Sequence, residues 1–187
     1  MIGPEKGSAD YQVALPCACL LHAYRFEIAD ATRRKSAEFR ALNPLGQIPV
    51  LRDADVLLAD SNAIMVYLVK RYAPPSDWLA ARRSRHGRRR AALALHRAGE
   101  VRYGPAMARR ALQWNMPGDP VLAVEIAGRL LGFMEQHLSD RDWLAASHIT
   151  LADLACYSYV AHAPEGGIRL EPYPCVGRWL ATFEAQP

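Results

Sequence analysis

No stretch of this chain approaches the roughly 18 consecutive apolar residues of a membrane span. Its opening, MIGPEKGSAD, has no apolar signal-peptide core. A cytoplasmic protein is therefore expected. Cysteine is sparse: Cys17, Cys19, Cys156 and Cys175 form no C-x-x-C pair and no metal-ligand spacing. This points away from a metal site and a disulfide framework, and toward reduced, mostly buried thiols. Aromatic residues are missing from the strongly basic run 82–90 (RRSRHGRRR), and no nucleic-acid motif accompanies it. The run reads as a solvated helix face rather than a nucleic-acid surface, despite a net charge of +4 and a pI near 9.0. Apolar mass is what the chain has in plenty. Of its 187 residues 51% are hydrophobic, enough for a core and too many for disorder.

The most informative stretch is ALNPLGQIPVLRDADVLLADSNAIMVYLVKRY, residues 41–72. Gln47 to Leu51 and Val56 to Leu58, joined through Asp53-Ala54-Asp55, predict a hairpin. Pro49 has no N–H for a ladder and pushes Ile48 into extended geometry. The N–H and C=O of Ile48 are thereby left to pair with something extended that is not this chain. Ala59-Asp60-Ser61 then opens a helix predicted from Asn62 to Tyr72, apolar on nearly every side. A helix N-terminus presents unpaired N–H groups that suit a carboxylate, and Asp60 suits an ammonium. One peptide-like edge beside seats for an amino-acid zwitterion has the shape of a site for a γ-glutamyl peptide.

NPLGQIPVL followed by ADSNAIMVYLVKRY closely resembles the glutathione-binding core of the cytosolic glutathione transferases, bacterial type. Their usual form is N-P-x-G-x-[IV]-P-x-L, then [ED]-S-x-A-I-x-x-Y-L. The resemblance runs from about Val13 to the C-terminus. It includes Thr150-Leu151-Ala152-Asp153, similar to the family's folding box and a capping-box variant in its own right. It also includes the closing Tyr173-Pro174-Cys175-Val176-Gly177-Arg178-Trp179. The implied fold is an α/β thioredoxin-like domain over residues 1–73 and an all-α domain over 74–187. The prolines of Ala73-Pro74-Pro75-Ser76-Asp77 mark the join. Helices are expected over 82–114, broken at Gly104-Pro105, and over 120–138, 150–162 and 176–184.

The resemblance implies a glutathione transferase that activates the thiol of bound glutathione for attack on a small hydrophobic electrophile, or for thiol-dependent reduction. It also implies a homodimer. The rivals are a non-catalytic interaction module on the same fold, or a glutathione-dependent isomerase or dehalogenase. Ile48 is expected to pair its backbone with the cysteinyl unit across a cis Ile48–Pro49 bond. Asp60 and Ser61 are expected to hold the γ-glutamyl head, with Gln47, Arg33 and Arg34 as lesser contacts. Tyr103, Met107 and Trp114 are candidates for the electrophile pocket, expected between the domains. Each assignment has a plainer reading: helix capping for Asp60 and Ser61, surface charge for the arginines, core packing for the aromatic and Met stripe.

The N-terminus departs from the family pattern. A first strand of five or six alternating residues has no counterpart, since Met1-Ile2 precede Gly3-Pro4 directly. A chain truncated or started elsewhere, a very short strand at the extreme N-terminus, and a remodelled site all account for this. The thiol-activating serine is matched best by Ser8, one residue late, where capping a helix is an equal reading. Tyr11 and Cys17 are the other candidates and are more easily explained as packing.

Overall fold

The computed structural model describes residues 2–3 (backbone), 24–73, 78, 101 and 103–186. They fall into two compact units, Met1–Ser76 and Asp77–Pro187.

The first unit is built on a four-stranded sheet of order β2-β1-β3-β4. Its strands are β1 (Ile2–Gly3), β2 (Glu27–Ile28), β3 (Val50–Asp53) and β4 (Val56–Ala59). The strand expected upstream is therefore present in two-residue form. Ile2 and Gly3 run parallel to Glu27 and Ile28, and Ile2 pairs antiparallel with Val50. Between β2 and β3 lie α1 (Ala31–Lys35) and α2 (Ala37–Leu42), capped by Asp30 and Ser36. Phe39 of α2 is buried with Ala29 and Val50, and Leu42 and Ile48 pack against them.

The hairpin differs from expectation at its start. The ladder begins at Val50 rather than Gln47, because Pro49 cannot donate and the chain reaches the sheet only beyond it. Ala54 makes the turn at φ 51°. Helix α3 (Ser61–Tyr72) then buries Ile64, Met65, Leu68 and Val69. Each such side chain contributes about 1.5–3 kcal/mol when fully buried. Asp53, in the turn region, accepts hydrogen bonds from the hydroxyls of Tyr67 (2.7 Å) and Tyr72 (2.5 Å). These bonds tie the far end of α3 to the hairpin.

The second unit contains α4 (Pro105–Trp114), α5 (Pro120–His137), α6 (Leu151–Val160), a 3₁₀ turn (Ala163–Gly166) and α7 (Pro174–Glu184). The expected break falls at Gly104, which caps α4 ahead of Pro105. Asp119 caps α5 through the N–H groups of Val121 and Leu122. Helix α7 takes its cap from elsewhere: Glu135 of α5 accepts from the N–H groups of Cys175 and Val176, both at 3.0 Å.

Asp153 is the polar centre of this unit. Fully buried, it accepts from Leu144 N, Thr150 N, Thr150 Oγ1 and Trp179 Nε1 at 2.9–3.0 Å. Burial pushes its carboxyl above the ordinary value, against the pull of those four donors. Trp179, which donates to it, meets Phe183 edge-on, as does Trp143, and Tyr157 is stacked on Phe183 at 3.9 Å.

The 3₁₀ turn lies close against α4. A Cβ on Gly166 would come within 2.6 Å of Arg109 N, so only glycine fits there. Beside it, Glu165 accepts from Arg109 Nε and His162 Nδ1, both at 2.5 Å. Burial opposes the Glu165 carboxylate, but these two hydrogen bonds outweigh it and hold its pKa below the ordinary value. A depressed carboxyl pKa stabilises the fold above the unfolded-state value, about 4.3. That stability is lost as pH falls through the lower, folded-state value. The melting temperature is therefore expected to drop below about pH 4.3, and Glu165→Gln to flatten that drop in thermal melts across pH 3–7. An unchanged profile in the variant would discount the contact.

Candidate functional site

The site assembles at one end of the hairpin. Register pairs Val50 with Ala59, so Ile48-Pro49 enters the hairpin at the same end from which Asp60-Ser61 leaves it. Four of the residues singled out from the sequence are thus neighbours by topology. The Ile48–Pro49 bond is cis. Among the described residues, neither the N–H nor the C=O of Ile48 takes part in a backbone hydrogen bond, and the side chain is half-buried. This is the free edge that the proline implied.

The loop feeding Ile48 is held by a residue the sequence reading passed over. Asn43, 6% exposed, donates from Nδ2 to Gln47 O (2.8 Å) and accepts at Oδ1 from Leu45 N (3.2 Å). Gly46 sits at φ 64°, where a Cβ would lie 2.9 Å from Arg34 O. An Asn-Pro-x-Gly turn carries both signals. Gln47 itself is exposed.

At the exit, Asp60 caps α3. Its Oδ1 accepts from Asn62 N and Ala63 N, each at 3.0 Å, so the capping reading holds for this oxygen. Its backbone lies at φ 145°, a region that disfavours side chains and is kept only where surroundings over-determine it. Ser61, the first helical residue, is buried. Next to it, Asn62 Oδ1 is a buried acceptor without a hydrogen-bond partner among the described residues, at the mouth of the helix.

The two arginines part company. The Arg33 guanidinium donates to Ile28 O and to Glu27 Oε2, both at 2.7 Å. It fastens α1 to β2 and is engaged within the fold. Hydrogen bonding by Arg33, the largest influence, holds the Glu27 carboxyl below its ordinary pKa. Arg34 donates from Nε to Asp30 O (3.3 Å), and its carbonyl abuts Gly46 in the loop before Gln47.

Ser8, Tyr11 and Cys17 lie outside the described residues. In the second unit, Tyr103 and Trp114 are exposed. The Arg109 guanidinium stands 5.1 Å from the Trp114 ring centroid. Met107 is half-buried, with its sulfur 2.8 Å from where a Cβ on Gly118 would be. Of the cysteines, burial pushes the thiol of Cys156 up to about 12. The Cys175 thiol is also raised, first by its hydrogen bond with Glu135. Neither is a ready nucleophile. No described helix is long and apolar enough to cross a membrane.

A four-stranded sheet with one parallel and two antiparallel pairings and a cis-proline loop, followed by a helical unit, is a thioredoxin-like domain joined to an all-helical one. Residues 18–71 match the model for the glutathione S-transferase N-terminal domain, and residues 122–187 match that for the C-terminal domain. The chain belongs to the glutathione S-transferase family. It is 30% identical over 173 residues to glutathione S-transferase theta-1 of Bos taurus, covering 86% of this chain and 72% of that one. Theta-3 of Mus musculus is 29% identical, covering 79% and 65%. The chain thus spans just under two thirds of some of the curated relatives it matches. Among solved structures, a glutathione S-transferase from Pseudomonas fluorescens Pf-5 superposes with TM-score 0.86 at 26% identity, covering 100% and 94% of the two chains. A glutathione transferase homologue from Drosophila mojavensis, solved with bound glutathione, gives 0.83 at 25% identity, covering 100% and 87%.

Proposed function

We propose that this chain is a cytoplasmic glutathione transferase, acting as a homodimer on small hydrophobic electrophiles. The observation that carries the reading is the backbone edge of Ile48, unpaired among the described residues and set at the same end of the hairpin as the mouth of α3. Glutathione fits this arrangement chemically. Its cysteinyl amide pairs with the N–H and C=O of Ile48, and Pro49 keeps that edge clear of the ladder. Its γ-glutamyl carboxylate takes the N-terminal N–H groups of α3 and the Ser61 hydroxyl. Its ammonium faces Asp60. Gln47 and Arg34 are lesser contacts from the adjoining loop; Arg33 is the weaker of the two arginines because Glu27 already holds it.

The chemical task is to ionise a thiol. A free thiol has a pKa near 8.5, and lowering it by two units takes about 2.7 kcal/mol of preferential thiolate stabilisation. A hydroxyl donating to the sulfur supplies such an interaction, and we assign it to Ser8. The thiolate then attacks the electrophile, in a pocket whose wall includes Tyr103, Met107 and Trp114.

Glutathione at a hundred times its dissociation constant is expected to stabilise the protein by about 2.7 kcal/mol, read as a rise in melting temperature. Ser8→Ala is expected to keep that rise while losing turnover of a general electrophile. No thermal shift at millimolar glutathione would sink the reading. A Ser8→Ala enzyme with full turnover would sink the serine assignment alone.

A further inference from the structure

Helix α4 turns Pro105, Ala106 and Ala108 into the core. At about 100° per residue, the face opposite these three carries Met107, Arg110, Ala111 and Trp114. Met107 and Trp114, both given above to the electrophile pocket, therefore stand one turn to either side of a single arginine. The two arginines of this helix are differently employed. Arg109 is engaged twice: its Nε donates to Glu165, and its guanidinium stands over the Trp114 ring. The Arg110 side chain is exposed, and among the described residues it has neither a hydrogen bond nor an ion pair. No carboxylate of the neighbourhood is at its disposal. The helix itself, PAMARRALQW, contains no acidic residue. Glu165 is held by Arg109 and His162, and Asp119 is occupied in capping α5. Arg110 also precedes the last turn, which has no basic residue, so the negative end of the helix does not account for it.

Resting on the transferase reading above, we propose that Arg110 selects electrophiles that carry a carboxylate. The planar guanidinium presents paired N–H donors that match a carboxylate in two-point contact. The apolar body of the electrophile lies along Met107 and the Trp114 ring, one polarizable surface and one flat one. Arg109, fixed by Glu165, orients that ring. In the reaction the glutathione thiol gives its proton to solvent and the thiolate attacks the carbon bearing a halogen. The C–S bond forms, the C–halogen bond breaks, and halide departs with the bonding pair. The carboxylate takes no part in these steps. Its pairing with Arg110 orients the molecule, so Arg110 determines specificity and is not a catalytic residue.

Two probes of nearly the same size isolate the charge: para-chloro-meta-nitrobenzoate and its neutral amide, each losing chloride from the same ring carbon. Arg110→Gln is expected to lower the ratio of kcat/KM for the benzoate to that for the amide about tenfold. That is the lower end of what a charged hydrogen bond contributes, as suits an exposed group. The fall is expected in KM more than in kcat. Arg110→Lys keeps the charge without the fork and recovers part of the ratio. A purely structural defect lowers both activities together and leaves the ratio in place. An unchanged ratio in Arg110→Gln, or a wild type that turns over the amide and not the benzoate, would overturn the role of Arg110 and leave the transferase reading standing. A wild type inactive on both probes would also overturn it. If that protein showed no thermal shift with glutathione either, the transferase reading would fall as well.

Discussion

Replacing Asp153 with alanine is expected to lower the unfolding free energy by about 3–5 kcal/mol, the cost of breaking a buried, hydrogen-bonded charge centre. Three buried N–H groups lose their acceptor together: Leu144 N, Thr150 N and Trp179 Nε1. They belong to the segment before α6, to its cap, and to α7, so the loss falls on the packing of the whole helical unit. Domains are stable by only about 5–15 kcal/mol, which makes this a large fraction of the total. Asp153→Asn should fall between. One oxygen still serves two donors, while the amide nitrogen faces the N–H or hydroxyl of Thr150. Denaturant titration followed by the fluorescence of the buried Trp143 and Trp179 measures both. An Asp153→Ala protein within 1 kcal/mol of wild type would mean that water replaces these bonds at no cost.

Asp60→Asn is expected to weaken glutathione binding roughly 10- to 100-fold while leaving the melting temperature nearly unchanged. The two effects separate because the side chain has two tasks. As a cap it needs only an acceptor for Asn62 N and Ala63 N, and asparagine caps about as well as aspartate. As a seat for an ammonium it needs the negative charge, and a charged hydrogen bond contributes about 1.5–3 kcal/mol. Asp60→Ala removes both and should also lose about 1 kcal/mol of stability. Calorimetric titration with glutathione beside thermal melts reads the two tasks separately. Equal affinity in Asp60→Asn and wild type would leave Asp60 as a cap alone.

Much of the candidate site was legible before any coordinates because its signals are local. Pro49 cannot join a ladder wherever it stands, and among the described residues Ile48 takes part in no backbone hydrogen bond. Thr150 and Asp153 are three residues apart, so their reciprocal cap follows from helix geometry. Asp60 and Ser61 precede an apolar run, and the helix starts there. The same locality explains the misjudged strand. Pro49 cannot donate to a ladder, and pairing begins only beyond it, at Val50 opposite Ala59.

Contacts between distant residues were not legible in that way. Glu135 caps a helix 40 positions further on. Arg33, read as a surface or ligand-binding cation, stays exposed but is paired with Glu27. Asp53, read as a turn residue, gathers two tyrosine hydroxyls from α3. Nothing in the spacing announces these pairs, because a side chain's partner depends on which elements pack together. Chain order settled the elements and the caps supplied by adjoining residues, since those rest on interactions among near neighbours. The folded arrangement alone settled which charges are engaged with one another, because that depends on groups brought together only by packing.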